Sequence, residues 1–360
     1  MKKTIWTLVA VGLMSVLLTA GAHVLTGCEK KEAAKTTGNR APAEATADSA
    51  DTETKTTKLV LNEVAHFIFY APMYVAIEEG YFQDNGIDLT LVNGSGADNV
   101  MTSLISGDAD IGFMGSEASI FVYAEGMEDY FVNFAQLTQR AGNFLVAREA
   151  NDSFTWDDIK GSTVLGGRAG GMPQMVFEYI LKNNGIDPAA DLTIDQSVSF
   201  GNTAAAFIGS DEYDYTVEFE RFATSLEAQG EGAIVASLGV DSGYVPYTSF
   251  CVQKSYMEEN PDVIQAFTDA LQQGMDYVQT HTPAEIADVI APQFEETELE
   301  ALTTIITRYY EQDTWKDNLI LEEESFTLLE DILKEAGELS EMVPYEDLVN
   351  TEFAEKAADH

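Results

Sequence analysis

Apolar positions along residues 70–115 switch repeatedly between a helical spacing and a strand-like spacing. Pro72 lies where a helix can begin, because the first helical turn does not need its missing N–H, and Gly80 ends the helical pattern. Residues 87–92 form an apolar-rich strand, and residues 110–114 form a second, each followed by a glycine-containing loop. Strands that alternate with short helices predict right-handed βαβ units and a parallel sheet.

Strand-like runs continue through the middle of the chain, and the last hundred or so residues show helical spacing instead. Asn260-Pro261 opens a long amphipathic helix with proline in its first turn. The spacing predicts further helices over 284–290, 296–309 and 323–336, whose aromatic and leucine positions serve packing. The predicted strands are residues 59–62, 88–92, 110–114, 131–136, 143–147, 163–165, 193–198, 215–217, 233–237 and 248–252.

The order of short motifs in the first half of the chain resembles one family closely. Pro72 precedes Tyr74-Val75-Ala76, and the helix ends in Gly80-Tyr81-Phe82. Gly86-Ile87-Asp88 and then Gly107-Asp108-Ala109-Asp110-Ile111-Gly112 follow. This order is similar to the periplasmic-binding-protein group that includes the nitrate, taurine, aliphatic-sulfonate and thiamine-pyrimidine binders of ABC importers.

The resemblance implies an α/β fold of two Rossmann-like lobes joined by a two-strand hinge, the type II periplasmic-binding-protein arrangement, with a helical C-terminal region. A chain of 360 residues with 45% hydrophobic content can form two such cores. Residues 154–161 look like the segment that opens the second lobe in this family. We therefore expect lobe 1 at residues 57–148 plus 249–360, and lobe 2 at residues 149–248.

The N-terminal residues have the pattern of an export signal. Lys2-Lys3 precede the apolar run 5–18, and small residues stand before Cys28. Leu25-Thr26-Gly27-Cys28 is similar to the bacterial lipobox, which implies removal of residues 1–27 and lipidation of Cys28, for example with palmitate. An uncleaved membrane anchor is the alternative, since the run almost reaches the ~20 residues of a spanning helix. Either segment would hold the domain outside the membrane through residues 28–57, a polar tether without a periodic apolar face.

Charge and cysteine content narrow the classes of partner. The chain has 19 basic and 61 acidic side chains, a formal net charge of −42, which repels phosphate backbones and argues against nucleic acid. That charge does not by itself specify a cationic ligand, because surface acids are usually just solvated. With Cys28 acylated, Cys251 is the remaining cysteine, so no disulfide framework is expected. Cys251 lies in a strand-like run and is predicted to be a small buried hydrophobe.

The chain carries no pattern of catalytic residues. It has no His-Glu-x-x-His, no Gly-x-Ser-x-Gly and no Walker-type loop. Its histidines, at positions 23, 66, 281 and 360, form no cluster with metal spacing, and His66 is the one near the predicted cleft. We expect no enzymatic activity, no cofactor and no metal. A pyrimidine-synthase family shares the resembled fold but needs a cysteine-rich motif that this chain lacks; such an enzyme, or a ligand sensor, is the alternative class.

Ligand contacts are expected in the loops at the carboxyl ends of the strands, where open α/β sheets bind ligands. Each loop leads into a helix N-terminus, whose unpaired N–H groups suit oxyanions or carbonyl oxygens. Four glycines in residues 166–173 permit close approach of the backbone, and Arg168 either offers a fork for a carboxylate, sulfonate or phosphate or points to solvent. The candidate loops are residues 65–72, 93–97, 115–117, 166–173, 201–203 and 218–221.

Aromatic and acidic residues near these loops favour one ligand class. Tyr70 stands where thiamine-pyrimidine binders of the resembled family show a histidine or a similar residue before Ala-Pro, which keeps a ring for stacking but changes its hydrogen bonding. If Glu117 and Glu218 face inward, they accept hydrogen bonds from a ligand's amino groups, although Glu117 at a helix start is alternatively a cap. Core packing is the alternative for Phe67 and Phe69. The aromatic candidates are Phe67, Phe69, Tyr70, Phe113, Tyr244 and Tyr247.

These observations predict a monomeric, lipid-anchored solute-binding protein on the extracytoplasmic face of a bacterial cell membrane. It would capture a small molecule between two lobes and deliver it to an ABC permease and its ATPase. An aromatic or amine-bearing heterocycle, such as a thiamine-pyrimidine precursor, is favoured over a small sulfonate or nitrate. The predicted ligand-binding residues are His66, Phe69, Tyr70, Gly94, Ser95, Gly96, Gly115, Ser116, Glu117, Arg168, Gly170, Gly171, Met172, Asn202, Glu218 and Tyr247.

Overall fold

Strands and helices alternate along the computed structural model, which describes residues 56–167, 169–198 and 201–359. The predicted export signal, Cys28, nearly all of the tether and Arg168 lie outside these ranges. The strands are β1 Thr57–Glu63, β2 Ile87–Asn93, β3 Ile111–Met114, β4 Phe131–Thr138, β5 Asn143–Ala147, β6 Thr163–Leu165, β7 Thr193–Asp195, β8 Tyr215–Phe219, β9 Ala233–Ser237 and β10 Thr248–Gln253.

Helices connect the strands and form the C-terminal region. Short 3₁₀ turns lie at Ile68–Tyr70, Trp156–Ile159 and Ala291–Gln293. The helices are α1 Ala71–Glu78, α2 Tyr81–Asp84, α3 Ala97–Ser106, α4 Glu117–Ala124, α5 Met172–Asn183, α6 Thr203–Gly209, α7 Phe222–Gln229, α8 Leu238–Asp241, α9 Lys254–Glu259, α10 Pro261–Thr280, α11 Pro283–Ile290, α12 Leu299–Glu311, α13 Glu323–Ala336, α14 Tyr345–Leu348 and α15 Glu352–Ala358.

The first sheet has the strand order β2-β1-β3-β10-β4. β1 pairs in parallel with β2 and β3, as βαβ units require, whereas β10 runs antiparallel to both β3 and β4. Every residue of β3 and β4 is buried, as expected for strands covered on both faces. At Gly112 in β3 an added Cβ would lie 2.5 Å from Leu104 Cδ1, so glycine lets α3 pack closely on the sheet.

The second sheet has the order β7-β6-β8-β5-β9. β6 is parallel to β7 and β8, and β5 is antiparallel to β8 and β9. The prediction of a parallel sheet is therefore wrong for one strand in each sheet and for the pairs that it makes. β5 belongs to the second sheet, although the predicted first lobe extended to residue 148, so the chain leaves the first sheet at residues 139–142. It returns at β10.

The C-terminal helices pack on the first sheet and join it to the second. At Gly274 in α10 an added Cβ would lie 3.1 Å from Ala76 Cβ, so glycine permits the close packing of α10 on α1. The predicted helix over 323–336 agrees with α13, and that over 296–309 begins before α12. Among helices in the described ranges, none combines the length and apolar character of a membrane span.

A solid cluster lies where the chain crosses between the sheets, and we call Phe69, Gly142, Tyr309, Gln312 and Trp315 the hinge cluster. Tyr309 Oη donates to Gly142 O (3.1 Å), and Trp315 Nε1 donates to Phe69 O (3.0 Å). Gln312 Nε2 donates to Ala141 O (3.2 Å), while the Phe69 and Tyr309 rings lie 5.1 Å apart. These contacts connect α12 and the residues that follow it with the crossing segment, at residues 141–142, and with the 3₁₀ turn Ile68–Tyr70.

Candidate functional site

A cavity of about 790 Å³ lies between the two sheets, at the loops that follow their strands. We call this cavity the large chamber. Its volume falls within the range of pockets that bury a drug-sized ligand. Its walls come from both sheets and from the starts of α3, α4 and α5. The lining residues are Val64, Ala65, Phe67, Tyr70, Ser95–Asn99, Met101, Gly115, Glu117, Ala118, Phe121, Val122, Ala169–Pro173, Gln196–Val198, Phe219, Tyr247 and Thr248.

The turn before α3 brings backbone to the chamber wall. Ser95 has φ +56° and Gly96 has φ +143°, a region that favours glycine, and both residues line the chamber. The Ser95 N–H donates to Asn93 Oδ1 (2.8 Å), and the Gly96 N–H donates to Val64 O (2.8 Å). Gly94 does not line the chamber, and a Cβ there would lie 2.7 Å from Asn62 Oδ1. We conclude that Gly94 shapes the turn without forming the wall.

The turn before α4 places one carboxylate in the chamber wall. Glu117 is the first residue of α4, is 7% exposed and lines the chamber. A Cβ at Gly115 would overlap the Glu117 carboxylate, so glycine leaves room for that group. Ser116, predicted as a contact, is buried behind the wall because its hydroxyl donates to Pro246 O (2.8 Å) and bonds with Ser249 Oγ (2.9 Å).

Aromatic rings form much of the remaining wall. Tyr70 and Tyr247, both predicted as contacts, line the chamber together with Phe219 and the half-buried Phe67. The Tyr247 hydroxyl donates to Asn143 Oδ1 (2.8 Å). By contrast, the Tyr70 hydroxyl makes no hydrogen bond to any residue in the described part of the chain. Tyr70 therefore presents to the chamber an aromatic ring and a hydroxyl that makes no hydrogen bond to a described residue.

Three other aromatic candidates do not line the chamber. Phe69, a predicted contact, is fully buried in the hinge cluster. Phe113 stacks on Phe250 inside the first sheet, with ring centroids 4.3 Å apart. Tyr244 is 48% exposed and donates from its hydroxyl to Asp313 (2.6 Å). For Phe69 and Phe113, core packing is the role that the structure shows.

The charged side chains that line the large chamber are all acidic within the described residues. They are Asp98 and Glu117, and no described lysine or arginine joins them. Burial raises the pKa of Tyr70 well above its ordinary value, and the negative charges of Glu63 and Glu117 raise it further. Burial likewise raises the pKa of Tyr247, with smaller contributions from Tyr70 and Glu117. The chamber is thus an aromatic site with a negative electrostatic bias.

The second half of the glycine-rich loop 166–173 forms part of the chamber wall on the side of the second sheet. Gly170, Gly171 and Met172, which were predicted as ligand contacts, line the chamber, and α5 begins at Met172 with Pro173 in its first turn. Gly170 has φ +72°, and its N–H donates to Gln174 Oε1 (2.7 Å). The proposed contact of Arg168 remains a prediction, since that residue lies outside the described ranges.

Glu218 points away from the large chamber because side chains alternate along β8. Its neighbour Phe219 lines the chamber, whereas Glu218 accepts hydrogen bonds from Thr203 Oγ1 (2.9 Å) and Thr216 Oγ1 (2.6 Å). Burial raises the pKa of Glu218 to about 7, against these two bonds, which lower it. Asn202, at the start of α6, is also outside the lining of the large chamber. Phe219 was not among the predicted contacts. The alternation of side chains along β8 is the sequence signal that could have identified it as the residue facing the chamber.

His66 borders a second cavity of about 350 Å³, which we call the side chamber. Besides His66, this cavity is lined by Val64, Ala65, Phe67, Ile68, Asn93, Ser95, Gly201, Glu220, Arg221, Phe222, Phe294 and Glu296. His66 Nδ1 lies 2.7 Å from Glu63 Oε1, and its Nε2 lies 2.9 Å from Gln293 O. Burial lowers the pKa of His66, but the bonds to Glu63 and Gln293 and nearby negative charges outweigh it and raise the pKa above 6.5.

In the described ranges, no three histidine, cysteine, aspartate or glutamate side chains are grouped so that they could hold a metal ion. Cys251 is buried in β10, and burial raises the pKa of its thiol to about 12. The thiol is therefore protonated at neutral pH and unsuited to nucleophilic chemistry.

The two sheets, the cleft between them and the helical C-terminal region form the two-lobed arrangement of a periplasmic-binding-protein fold. The chain belongs to the NMT1/THI5-like family, whose family model matches residues 69–286. It is 45% identical over 300 residues to YtlA of Bacillus subtilis (strain 168), which is named as a binding protein. That match covers 83% of this chain and 90% of YtlA.

Solved structures share the fold at low sequence identity. The alkanesulfonate-binding protein SsuA of Xanthomonas axonopodis pv. citri, bound to MOPS, has a TM-score of 0.65 and 16% identity, covering 82% of this chain and 98% of SsuA. The nitrate-binding protein NrtA of Synechocystis PCC 6803 has a TM-score of 0.64 and 16% identity, covering 85% of this chain and 89% of NrtA. Such similarity confirms the predicted type II periplasmic-binding-protein fold and carries no ligand with it.

One relative is an enzyme. The 4-amino-5-hydroxymethyl-2-methylpyrimidine phosphate synthase THI11 of Saccharomyces cerevisiae (strain ATCC 204508 / S288c) is 23% identical over 225 residues. The match covers 58% of this chain and 63% of THI11. With two cysteines in all, this chain has no cysteine-rich motif of the kind expected for such a synthase.

Proposed function

We propose that the protein captures a small aromatic molecule bearing an amino group in the large chamber and delivers it to an ABC permease and its ATPase. The observation that carries the proposal is the composition of the chamber wall. Aromatic rings stand on both sides of the cavity, and its described charged side chains, Asp98 and Glu117, are both acidic. A thiamine-pyrimidine precursor belongs to this ligand class.

The side chains of the chamber wall favour a planar ligand that bears an amino group. Phe67, Tyr70, Phe219 and Tyr247 offer rings for stacking on a planar ligand, and such contacts add to simple burial of apolar area. The carboxylate of Glu117, at 7% exposure, accepts hydrogen bonds from an amino group or pairs with its charged form. The hydroxyl of Tyr70 supplies a further polar contact.

A small sulfonate or nitrate is the second candidate, and one observation favours it. The first turns of α3 and α5 both lie at the chamber, and helix N-termini attract anions. Against this, the cavity of about 790 Å³ far exceeds what nitrate fills, and Asp98 and Glu117 would repel an anion. The aromatic amine is therefore the better match to the described wall.

Capture by closure follows from the two-sheet arrangement. A ligand that contacts both walls has a higher affinity for the closed state than for the open one, and that difference shifts the equilibrium toward closure. The closed form is the one that would dock on the permease. We further propose that the monomeric protein is held at the extracytoplasmic face of the membrane by lipid on Cys28, which keeps it near its permease.

Isothermal titration of the full mature chain tests the proposal. The panel contains aminopyrimidines, other aromatic amines, an alkanesulfonate and nitrate, and we expect one aromatic amine to bind with micromolar or lower Kd. Glu117→Gln should weaken that binding about tenfold or more, because a hydrogen bond to a charged group is lost. Glu125→Gln, an exposed site at the end of the same helix, is the matched control and should leave Kd unchanged. Binding of the sulfonate or nitrate alone would contradict the proposal, as would no binding across the panel.

A further inference from the structure

The side chamber adjoins the large chamber along a shared wall. Val64, Ala65, Phe67 and Ser95 line both cavities, so a ligand in the large chamber lies next to the side chamber. The side chamber has a volume of about 350 Å³, which is room for a substituent of a ligand. Neither the proposed capture of an aromatic amine nor the Glu117 contact uses this space.

Basic groups are confined to the side chamber among the described residues that line the two cavities. They are His66 and Arg221, whereas the large chamber has the acids Asp98 and Glu117. The two cavities therefore differ in their basic groups: described basic side chains line the side chamber, together with Glu220 and Glu296, and none lines the large chamber. A ligand that matches this difference carries its positive group at one end and a negative group at the other.

The two carboxylates of the side chamber, Glu220 and Glu296, differ in how firmly they are held by other partners. Glu220 has a fully buried side chain and already accepts from Arg308 Nη1 (2.7 Å) and from the Thr224 N–H (2.9 Å). Glu296 is different, because its side chain is 68% exposed and its partner is Arg221 (2.5 Å). An ion pair this exposed contributes little, so an incoming anion displaces Glu296 at small cost.

Arg221 retains the donors that an oxyanion needs. One of its Nη groups donates to Glu296, and its remaining N–H groups make no hydrogen bond to a described residue. The planar guanidinium matches a carboxylate with two parallel bonds. His66 contributes charge more than donors, because both of its ring nitrogens already face the acceptors Glu63 Oε1 and Gln293 O.

We propose that the side chamber is a second subsite, in which Arg221 binds a carboxylate or similar oxyanion group on the same aromatic amine that occupies the large chamber. The ligand is thus dipolar, with its amino group at Glu117 and its oxyanion at Arg221. On binding, the oxyanion takes the place of Glu296 at the guanidinium, and His66 adds a favourable charge beside it. This inference rests on the proposed function, since it extends the same ligand into the neighbouring cavity.

Three matched probes test it by isothermal titration on the full mature chain: benzylamine, benzoate and 4-(aminomethyl)benzoate. We expect 4-(aminomethyl)benzoate to bind about tenfold or more tightly than benzylamine, and benzoate to bind weakest. Arg221→Gln should remove that advantage while leaving the Kd of benzylamine unchanged. Glu296→Gln should strengthen binding of the dipolar probe severalfold, because the competing carboxylate is gone. Lys356→Gln, which removes a positive charge from an exposed ion pair far along the chain, is the control and should change neither value.

The outcomes separate this inference from the function on which it rests. If benzylamine binds but the added carboxylate gives no gain, or Arg221→Gln weakens both probes equally, the second subsite is wrong and the proposed function stands. If none of the three probes binds, the second subsite is wrong, and the titration panel of aminopyrimidines and other aromatic amines decides the proposed function separately. Circular dichroism and thermal unfolding of each variant identify any loss of binding that comes from loss of folding.

Discussion

The hinge cluster and the large chamber are both built from aromatic side chains between the two sheets, but one is solid and the other encloses a cavity. In the hinge cluster, Tyr309 Oη donates to the Gly142 carbonyl at 3.1 Å, and Trp315 Nε1 donates to the Phe69 carbonyl at 3.0 Å. In the large chamber, the Tyr70 hydroxyl has no partner among the described residues, and a volume of about 790 Å³ lies beside its ring. Similar residue types thus pack against one another in the hinge cluster and line an open cavity in the large chamber.

The difference lies in what stands opposite the rings. In the hinge cluster, α12 and residues 312–315 fill the space. The N–H and O–H donors of Tyr309, Gln312 and Trp315 each reach a backbone carbonyl, and the Phe69 and Tyr309 rings pack together. In the chamber no described element fills the space beside the rings, and the Tyr70 hydroxyl makes no hydrogen bond to a described residue. The comparison indicates that stability should depend on the hinge cluster and its surroundings, and affinity on the chamber. Four predictions test this separation.

Arg308→Met should have the largest effect, on stability. Arg308 in α12 donates to Glu220 (2.7 Å), to Thr224 (2.7 Å) and to Glu227, next to the hinge cluster. The Glu220 side chain has no exposed area, so losing its counter-ion should cost about 3–5 kcal/mol of the free energy of unfolding. Urea unfolding at pH 7 measures this loss.

The double variant Arg308→Met with Glu220→Gln should recover part of the loss, because the buried charge is gone. Lys254→Met breaks an exposed pair with Glu258 and should change the free energy of unfolding by less than about 1 kcal/mol. A loss from Arg308→Met no larger than that from Lys254→Met would contradict the assigned role of the hinge surroundings.

Glu218→Gln should stabilise the protein at high pH and have little effect at low pH. Burial raises the pKa of Glu218 from 4.5 to about 7, so the folded state binds its proton more tightly than the unfolded state. The resulting stability is fully present below pH 4.5 and is lost as pH rises through about 7. The difference between the two pKa values corresponds to about 3 kcal/mol of stability at most, and the neutral amide of Glu218→Gln should restore this stability at pH 8. Urea unfolding of the original protein and of Glu218→Gln at pH 5 and pH 8 measures the difference in their free energies of unfolding. An equal difference at the two pH values would contradict the raised pKa of Glu218.

Gly142→Ala should cost about 1–3 kcal/mol, because it overpacks the contact between the two regions. An added Cβ would lie 2.8 Å from Phe219 Cε1, in the chamber wall, and 2.8 Å from Phe69 Cδ2, in the hinge cluster. Thermal unfolding and titration should therefore show lower stability and altered affinity together. Gly209→Ala is the control, because no atom lies within 4 Å of a Cβ there. Unchanged stability in Gly142→Ala would contradict the close packing at this position.

Tyr70→Phe and Tyr309→Phe compare one small change in the two regions. Tyr70→Phe should weaken ligand binding about twofold to tenfold and leave stability within about 0.5 kcal/mol of the original. Tyr309→Phe should lose about 1 kcal/mol of stability, from its bond to Gly142 O, and leave affinity unchanged. Titration and urea unfolding of both variants measure the four values. A stability loss as large in Tyr70→Phe as in Tyr309→Phe would show that the two hydroxyls are not used differently.

Local patterns in the sequence predicted most of the elements. The predicted strands 143–147, 163–165 and 233–237 have the same bounds as β5, β6 and β9, and the predicted helix 323–336 has those of α13. The glycine loops before α3, α4 and α5 were also expected at the cleft, and Ser95, Gly96, Gly115, Gly170 and Gly171 line the large chamber. These features depend on neighbouring residues, so a short stretch of sequence is enough to indicate them.

Predictions that depended on the direction in which a side chain points were less successful. Glu218 was expected in the cleft, but its neighbour Phe219 is there, because a shift of one residue along a strand reverses the face. Ser116 and Phe69 lie in loops expected at the cleft, yet partners distant in sequence, Ser249 and Tyr309, hold them in the interior. No local pattern contains those partners.

By itself, the sequence determined the order and kind of most elements, the loops that border the large chamber, and the family, since spacing, glycine and proline act over a few residues. The tertiary structure alone decided that β5 and β10 pair antiparallel to their neighbours, that the large chamber is aromatic and acidic, and that Arg221 and His66 border a separate chamber. Strand pairing and burial join residues far apart in the chain. Their outcome depends on the packing of the whole fold, which a local pattern does not encode.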